Sequence, residues 1–479
     1  MKKTIKKIAV FMFAATVISS CNTVDFGNVN DNPNGPTAAI TSQLLSSAQV
    51  SVSAVITNVD GINYVQQITE GQYPGPSRYT TLTFSYNGWY TGPVQNLNKI
   101  IEVNLDAKTA PAAASFGNND NQIAVAKLLR AYFLHYMTDT WGDLPWTEAF
   151  KGIQGTQPKF DSQKSLYTYM FAEINDALGR MNANAGPAGD LIFQGDMAKW
   201  ATFGNTLKMI MALRISDADA VMAKKNFEEA VASGKLISSN AENIRFTYGS
   251  DETSDNPWED RFFSREDYVM SETMMGFLNA KADPRKFKYT KPAANGAVLA
   301  NNFDEYAGAP NGKVNGNTKD FAFITNTVIG DKTYKVAIYT YAQVEFSLAE
   351  VAVRFPTWNI GGGTAASHFK SGIEASMMDW GVSALDMNAY TSVNTSATMA
   401  DIAYEKYMAL YLNGPEAWAE WRRLDAPALT PSIYANDQRI PVRHAYSSSV
   451  ADNNPTNYAA VVASQGPDNL HTKLWWDKN

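Results

Sequence analysis

Three acids and two tryptophans crowd into one short stretch: Asp139, Asp143 and Glu148 with Trp141 and Trp146. Two carboxyl groups roughly 5–10 Å apart could serve as acid and base across a glycosidic bond, with indole rings as a sugar platform. The same residues also read as a helix end and a turn, with Asp139 in the last turn, Gly142-Asp143 beyond it and Pro145 as breaker. That second reading is adopted, and no catalytic residue is assigned. Glu345 and Glu350 fall on a helix and are expected to meet solvent or an arginine. The four histidines, His135, His368, His444 and His471, show no metal-ligand spacing. Gly361-Gly362-Gly363 follows no strand and precedes no Lys-Ser/Thr pair, so it is not a phosphate cradle. No Gly-x-Ser-x-Gly elbow occurs. The Asx-rich run Asn28 to Pro36 offers oxygens suited to calcium but lacks the calcium-loop pattern. No cofactor and no metal are expected.

Binding has better material. Tyr64 to Tyr90 holds seven aromatics: Tyr64, Tyr73, Tyr79, Phe84, Tyr86, Trp89 and Tyr90. Tyr73 lies in Gln72-Tyr73-Pro74-Gly75-Pro76, where Pro and Gly exclude a helix and push the ring outward, and Tyr79 follows in the same loop. Trp258, in Asn256-Pro257-Trp258-Glu259-Asp260, and Tyr306 lie in polar stretches with no apolar periodicity. The candidate ligand-binding residues are therefore Trp258, Tyr73, Tyr79 and Tyr306, with Arg78 and Asp260 as polar partners. Trp258 is expected to be a platform, the alternative being a ring that folds back and plugs its own loop. Trp141, Trp146, Trp418, Trp421, Trp475 and Trp476 are assigned to packing.

The elements that must position these residues begin after a leader. Lys2, Lys3, Lys6 and Lys7 precede the apolar run Ile8 to Ile18, and Ile18-Ser19-Ser20-Cys21 closes it. That is the form of a secretory signal, too short for a permanent span. A cysteine at the cleavage point resembles the bacterial lipobox, which implies lipidation of Cys21; two or more acyl chains would hold the body on a membrane. Cys21 is the chain's one cysteine, so no internal disulfide can form. Losing the four leader lysines would move the net charge from -7 to -11, which argues against nucleic acid as a partner. Apolar residues at 45% and charged residues at 18% give the balance of a globular body with a real core.

From Thr37 onward helical spacing dominates. Helices are expected over 38–56, 96–105, 122–138, 165–181, 200–211, 220–233, 344–355, 367–380, 398–412 and 416–423. They come in pairs with short breaks, although no clean repeat period emerges. Long stretches without helical periodicity lie between them, and the tail 446–479 reads as irregular. The expected fold is mostly α, with tetratricopeptide-like helix pairs as scaffold (mainly 37–235 and 336–425). Large irregular loop insertions, about 72–93 and 240–335, carry the ligand. Residues 1–20 are read as the signal and 21–479 as one domain.

Several blocks in order carry a resemblance: Asn32-Pro33-Asn34-Gly35-Pro36-Thr37; Tyr86-Asn87-Gly88-Trp89-Tyr90; Ala131-Tyr132-Phe133 with Thr140 to Ala149; Asp283-Pro284-Arg285; Gly414 to Trp418 with Trp421-Arg422-Arg423; and Thr472 to Asp477. Together they resemble the SusD/RagB family, in its SusD-like branch. The resemblance implies a tetratricopeptide-like fold and a lipid-anchored protein of the cell outer membrane, facing outward. It implies capture of oligosaccharides and their delivery to a SusC-type TonB-dependent transporter, without enzymatic activity. Two alternatives stay open: the same role with peptides as ligand, and a helical surface glycoside hydrolase.

Overall fold

Helices carry the fold, and their starts follow from local chemistry. The computed structural model describes residues 39–478 except 296, 300, 301 and 436, and not the side chains of 153, 297–299 and 302–304. Cys21, the leader and the Asx-rich run lie outside the described residues. The scaffold helices are α1 (Thr41–Ile56), α2 (Gln95–Leu105), α3 (Asn119–Trp141), α4 (Gln163–Arg180), α5 (Met197–Arg214), α6 (Ala220–Ala232), α7 (Tyr341–Arg354), α8 (Ala365–Asp379), α9 (Met399–Ala409) and α10 (Gly414–Leu424). Asn118, Ser162, Asp196, Asp219, Thr340, Thr364 and Thr398 each accept a hydrogen bond from a first-turn N–H, satisfying donors that a helix leaves open. Helix α3 packs against α4, α5 against α6 and α7 against α8, while α9 packs against α10 and α7. The expected helix-pair scaffold is therefore present.

Helix α3 is buried nearly all round and stops abruptly at Gly142. Gly142 has φ +89°, and a Cβ there would lie 2.0 Å from Gln465 Oε1. That oxygen accepts the Asp143 N–H at 2.7 Å, which locks the turn to the C-terminal region. Only glycine suits both the dihedral and the approach.

The expected loop insertions prove to be partly ordered by pairing. Ile68–Glu70, Tyr268–Met270, Phe323–Ile324 and Thr290–Lys291 form a four-stranded antiparallel sheet in that order. Ile244–Phe246 pairs antiparallel with Val336–Tyr339. Strands of two to four residues are too short to show alternation, and their partners lie far away in sequence. Short helices Pro257–Phe263 and Glu272–Ala280 add to the same region. The tail also differs from expectation, since Pro455–Gln465 is helical. Val461 is the buried residue of that helix, so it carries no apolar stripe to read.

A buried ionic network joins the helix pairs. The Glu350 carboxylate of α7 accepts from Arg423 Nη1 (2.5 Å) and Nη2 (2.7 Å) of α10, and from Lys406 Nζ (2.6 Å) of α9. Glu420 bonds Lys406 and Arg423, each at 2.6 Å. Arg214 of α5 pairs with Glu416 at 3.0 Å and with Asp139 of α3 at 3.4 Å. Tyr167 of α4 donates to the other Asp139 oxygen at 2.6 Å. Burial alone would push Glu350 upward; Arg423 and Lys406 together hold it down at about 2. Removing one partner from such a network leaves a bare buried charge, at a cost of about 3–5 kcal/mol.

Candidate functional site

The loop 71–80 has its path fixed by Pro74, Gly75 and Pro76. One 3-10 turn, Pro76–Arg78, leads to Tyr79 at φ +60°. That left-handed residue reverses the chain and sends its ring inward, where it stands edge-on to Tyr64 at 5.8 Å. The loop is pinned from below. The buried Ser77 hydroxyl donates to Asn63 Oδ1 at 3.1 Å and accepts the Glu70 N–H at 3.2 Å. Gly312, at φ +74°, closes against it: a Cβ there would lie 2.5 Å from Ser432 Oγ and 3.2 Å from Ser77 O. Three loops thus meet at a point where only a glycine fits.

Their outer sides form a ridge. Arg78 Nε donates to Gly312 O at 2.6 Å, and its guanidinium lies 6.0 Å from the Tyr434 ring. Arg265 sits 5.1 Å over the Tyr73 ring. Tyr73 is 61% exposed and Ile433 76%, with Val314 and Tyr434 exposed beside them in the same loops. Rings and guanidinium groups on anchored loops suit a ligand with apolar faces and many hydroxyl or carbonyl acceptors.

Beneath the ridge lies a buried acid. Glu70 is pushed up to about 8, first by burial and then by the nearby Asp267 carboxylate. Asp267 holds the loop itself, accepting the Gln72 N–H at 2.6 Å on its side chain and the Gly71 N–H at 2.9 Å on its carbonyl.

The structure disperses the residues singled out in the sequence. Tyr73 and Arg78 join the ridge. Tyr79 is 4% exposed and belongs to the core, a correction whose cause is its left-handed backbone. Trp258 is also corrected: it is 0% exposed, packed edge-on to Tyr268 with the Arg261 guanidinium 4.7 Å over its ring. The plug reading holds for it. Asn256 caps a helix with Pro257 at its first position, and the turn that follows rotates the indole inward. Asp260, on the same helix, is exposed and lies near Glu252 and Asp255. Those three carboxylates could surround a cation, but the Lys332 ammonium already pairs with Glu252 and, at 3.3 Å, with Asp255. Tyr306 stands edge-on to Phe287 at 5.2 Å, in a separate patch. Sequence reasoning missed Arg265, Ile433 and Tyr434, whose surroundings in the sequence show no pattern that marks them.

The acids considered for catalysis have structural partners. Asp139 is held by Arg214 and Tyr167, Asp143 accepts the Gln163 N–H at 2.7 Å, and Glu148 accepts the Lys159 N–H at 2.9 Å. Trp141, Trp146, Trp418 and Trp476 are buried, as expected of packing residues.

A family profile described as "Starch-binding associating with outer membrane" matches residues 33–447. The chain belongs to the SusD-like family. Among solved structures, a chitin-binding protein superposes with a TM-score of 0.79 at 24% identity, covering 92% of this chain and 100% of the other. A SusD homologue from Bacteroides fragilis gives 0.78 at 22% identity, with coverage of 92% and 100%. A chitin-binding SusD homologue from Flavobacterium johnsoniae gives 0.73 at 22% identity, with coverage of 92% and 99%. At these identities the likeness establishes the SusD-like fold. No relative was found among curated proteins.

Two outcomes are expected. Trp258→Ala should cost about 3–5 kcal/mol of stability, the penalty for deleting a buried aromatic, and lower the melting temperature; an unchanged melting curve would contradict the packing. Folded Glu70 keeps a proton that the unfolded chain releases in the ordinary carboxylate range, so stability should fall as pH rises toward about 8 and level off above it. Glu70→Gln should flatten that slope in urea titrations across pH 5 to 9, and identical slopes would contradict the assignment.

Proposed function

We propose that this SusD-like protein is anchored on the outer membrane through Cys21, captures oligosaccharides at its loop surface and hands them to a SusC-type TonB-dependent transporter without cleaving them. The observation that carries this reading is the ridge of Tyr73, Tyr434, Arg78 and Arg265, built on loops that interlock at Gly312. The family's description as starch-binding and outer-membrane-associated supports the ligand class and the location. Two neighbours of the same fold are named for chitin binding, which is consistent with it. Binding without turnover is supported by Asp139, Asp143 and Glu148, whose carboxylates are committed to holding the chain.

Calorimetric titration of the soluble body with maltoheptaose, chitohexaose and a mixture of short peptides tests this. Binding to an oligosaccharide is expected, with Tyr73→Ala/Tyr434→Ala losing roughly 1–3 kcal/mol, a range borrowed from stacking on nucleobases. Its melting curve should stay unchanged, because both rings are exposed. Binding confined to peptides would favour the peptide reading, and a double variant that binds as the wild type does would remove the ridge.

A further inference from the structure

We propose that a cleft apart from the ridge, bounded by Tyr90, Phe150 and Asn453, is a second saccharide subsite, selective for uncharged sugars. This rests on the carbohydrate reading above and goes beyond it in place and in selectivity. The cleft measures about 280 Å³, close to the lower end of the ~300–1,000 Å³ typical of ligand sites.

Three segments wall it, and hydrogen bonds hold them together. Tyr90 Oη donates to Pro145 O at 2.5 Å, Asn454 Nδ2 donates to Pro158 O at 2.7 Å, and Asn457 Nδ2 donates to Gln157 O at 2.9 Å. These bonds leave groups free for a ligand. Among the described residues the Asn87 side-chain amide and the Thr156 hydroxyl have no protein partner, and the Asn453 side chain uses only its Nδ2, on Ser449 O.

Phe150 supplies the ring. It is 41% exposed, and it packs 5.5 Å from Tyr90 at an interplanar angle of 30° and edge-on to Trp146 at 5.8 Å. Its backbone sits at φ +64°, a conformation costly for a bulky residue. Glycine would fit there without strain. A strained position that nevertheless carries a ring at the mouth of a cleft suits a platform for the C–H face of a pyranose, with amides reaching its hydroxyls.

The residues lining the cleft carry no formal charge. A uronate or sulfated sugar would enter with no counter-charge and lose hydration, whereas neutral hydroxyls find amide and hydroxyl partners. The ridge differs, since it presents Arg78 and Arg265.

The test is calorimetric titration of the wild type, Phe150→Gly, Asn453→Ala and Tyr73→Ala/Tyr434→Ala. The probes are maltoheptaose and chitohexaose, beside an oligogalacturonate. The inference expects Phe150→Gly and Asn453→Ala each to weaken binding of a neutral oligosaccharide by about tenfold, with Phe150→Gly melting no lower than the wild type. It also expects the oligogalacturonate to bind more weakly than the neutral probes. Wild-type affinity in both cleft variants would overturn the subsite and leave the proposed function standing. Equal affinity for the oligogalacturonate would overturn its selectivity. Failure of the wild type to bind any of the neutral probes would overturn both readings, which separates the two failures.

Discussion

The Glu350 carboxylate is the point on which the scaffold depends. It sits on α7 and is gripped by Arg423 of α10 and Lys406 of α9, with Arg354 of its own helix at 2.7 Å. Glu420 and Arg214 extend the same set of charges to Asp139 on α3, so each of the four helix pairs contributes. A network of this kind adds less net stability than an apolar core of equal volume, but it tolerates no missing partner. It fixes which helix lies against which, and the loops inherit that precision. A second set, with Arg285 paired to Asp283 and Glu405 at 2.6 Å each, ties the stretch between strands Tyr268–Met270 and Thr290–Lys291 to α9 in the same way.

The C-terminal region reads this network from outside. Arg422 lies 3.8 Å from the Trp418 ring and 4.8 Å from the Trp476 ring, so a buried guanidinium is held between two indoles. Its Nη1 donates to Asp139 O at 2.7 Å and to Val442 O at 2.9 Å. Trp476 thus closes the scaffold, and Trp475 beside it is half-buried, 6.1 Å from the Tyr167 ring.

What was legible in the sequence follows the length scale of each signal. Helices α3 to α10 repeat over three or more turns, and α3 to α9 carry side-chain caps, so their existence and type could be read. Two of the blocks that carried the family resemblance, Asp283 to Arg285 and Gly414 to Arg423, supply part of the buried ionic networks through Asp283, Arg285, Glu416, Glu420 and Arg423. The proposed ligand ridge depends on contacts between segments hundreds of residues apart, such as Arg78 with Gly312 and Tyr434, which no local pattern reports. Tyr79 and Trp258 looked alike in sequence to Tyr73, aromatic residues among Pro, Gly and Asx. One left-handed residue and one short capped helix turned those two rings inward. The Asn256-Pro257 start was a readable helix signal, but the helix is only seven residues long and shows no stripe.

The division that emerges is between a charge-locked helical scaffold and interlocked loops that carry the proposed ligand surfaces. Hydrogen exchange of the mature protein, with and without saturating maltoheptaose or chitohexaose, tests that division most directly. The account predicts slowed exchange in 71–80, 310–316 and 431–435, and in 145–158, with α7 to α10 protected in both states. Ligand-induced protection concentrated in 251–263, or spread through the scaffold helices, would contradict it.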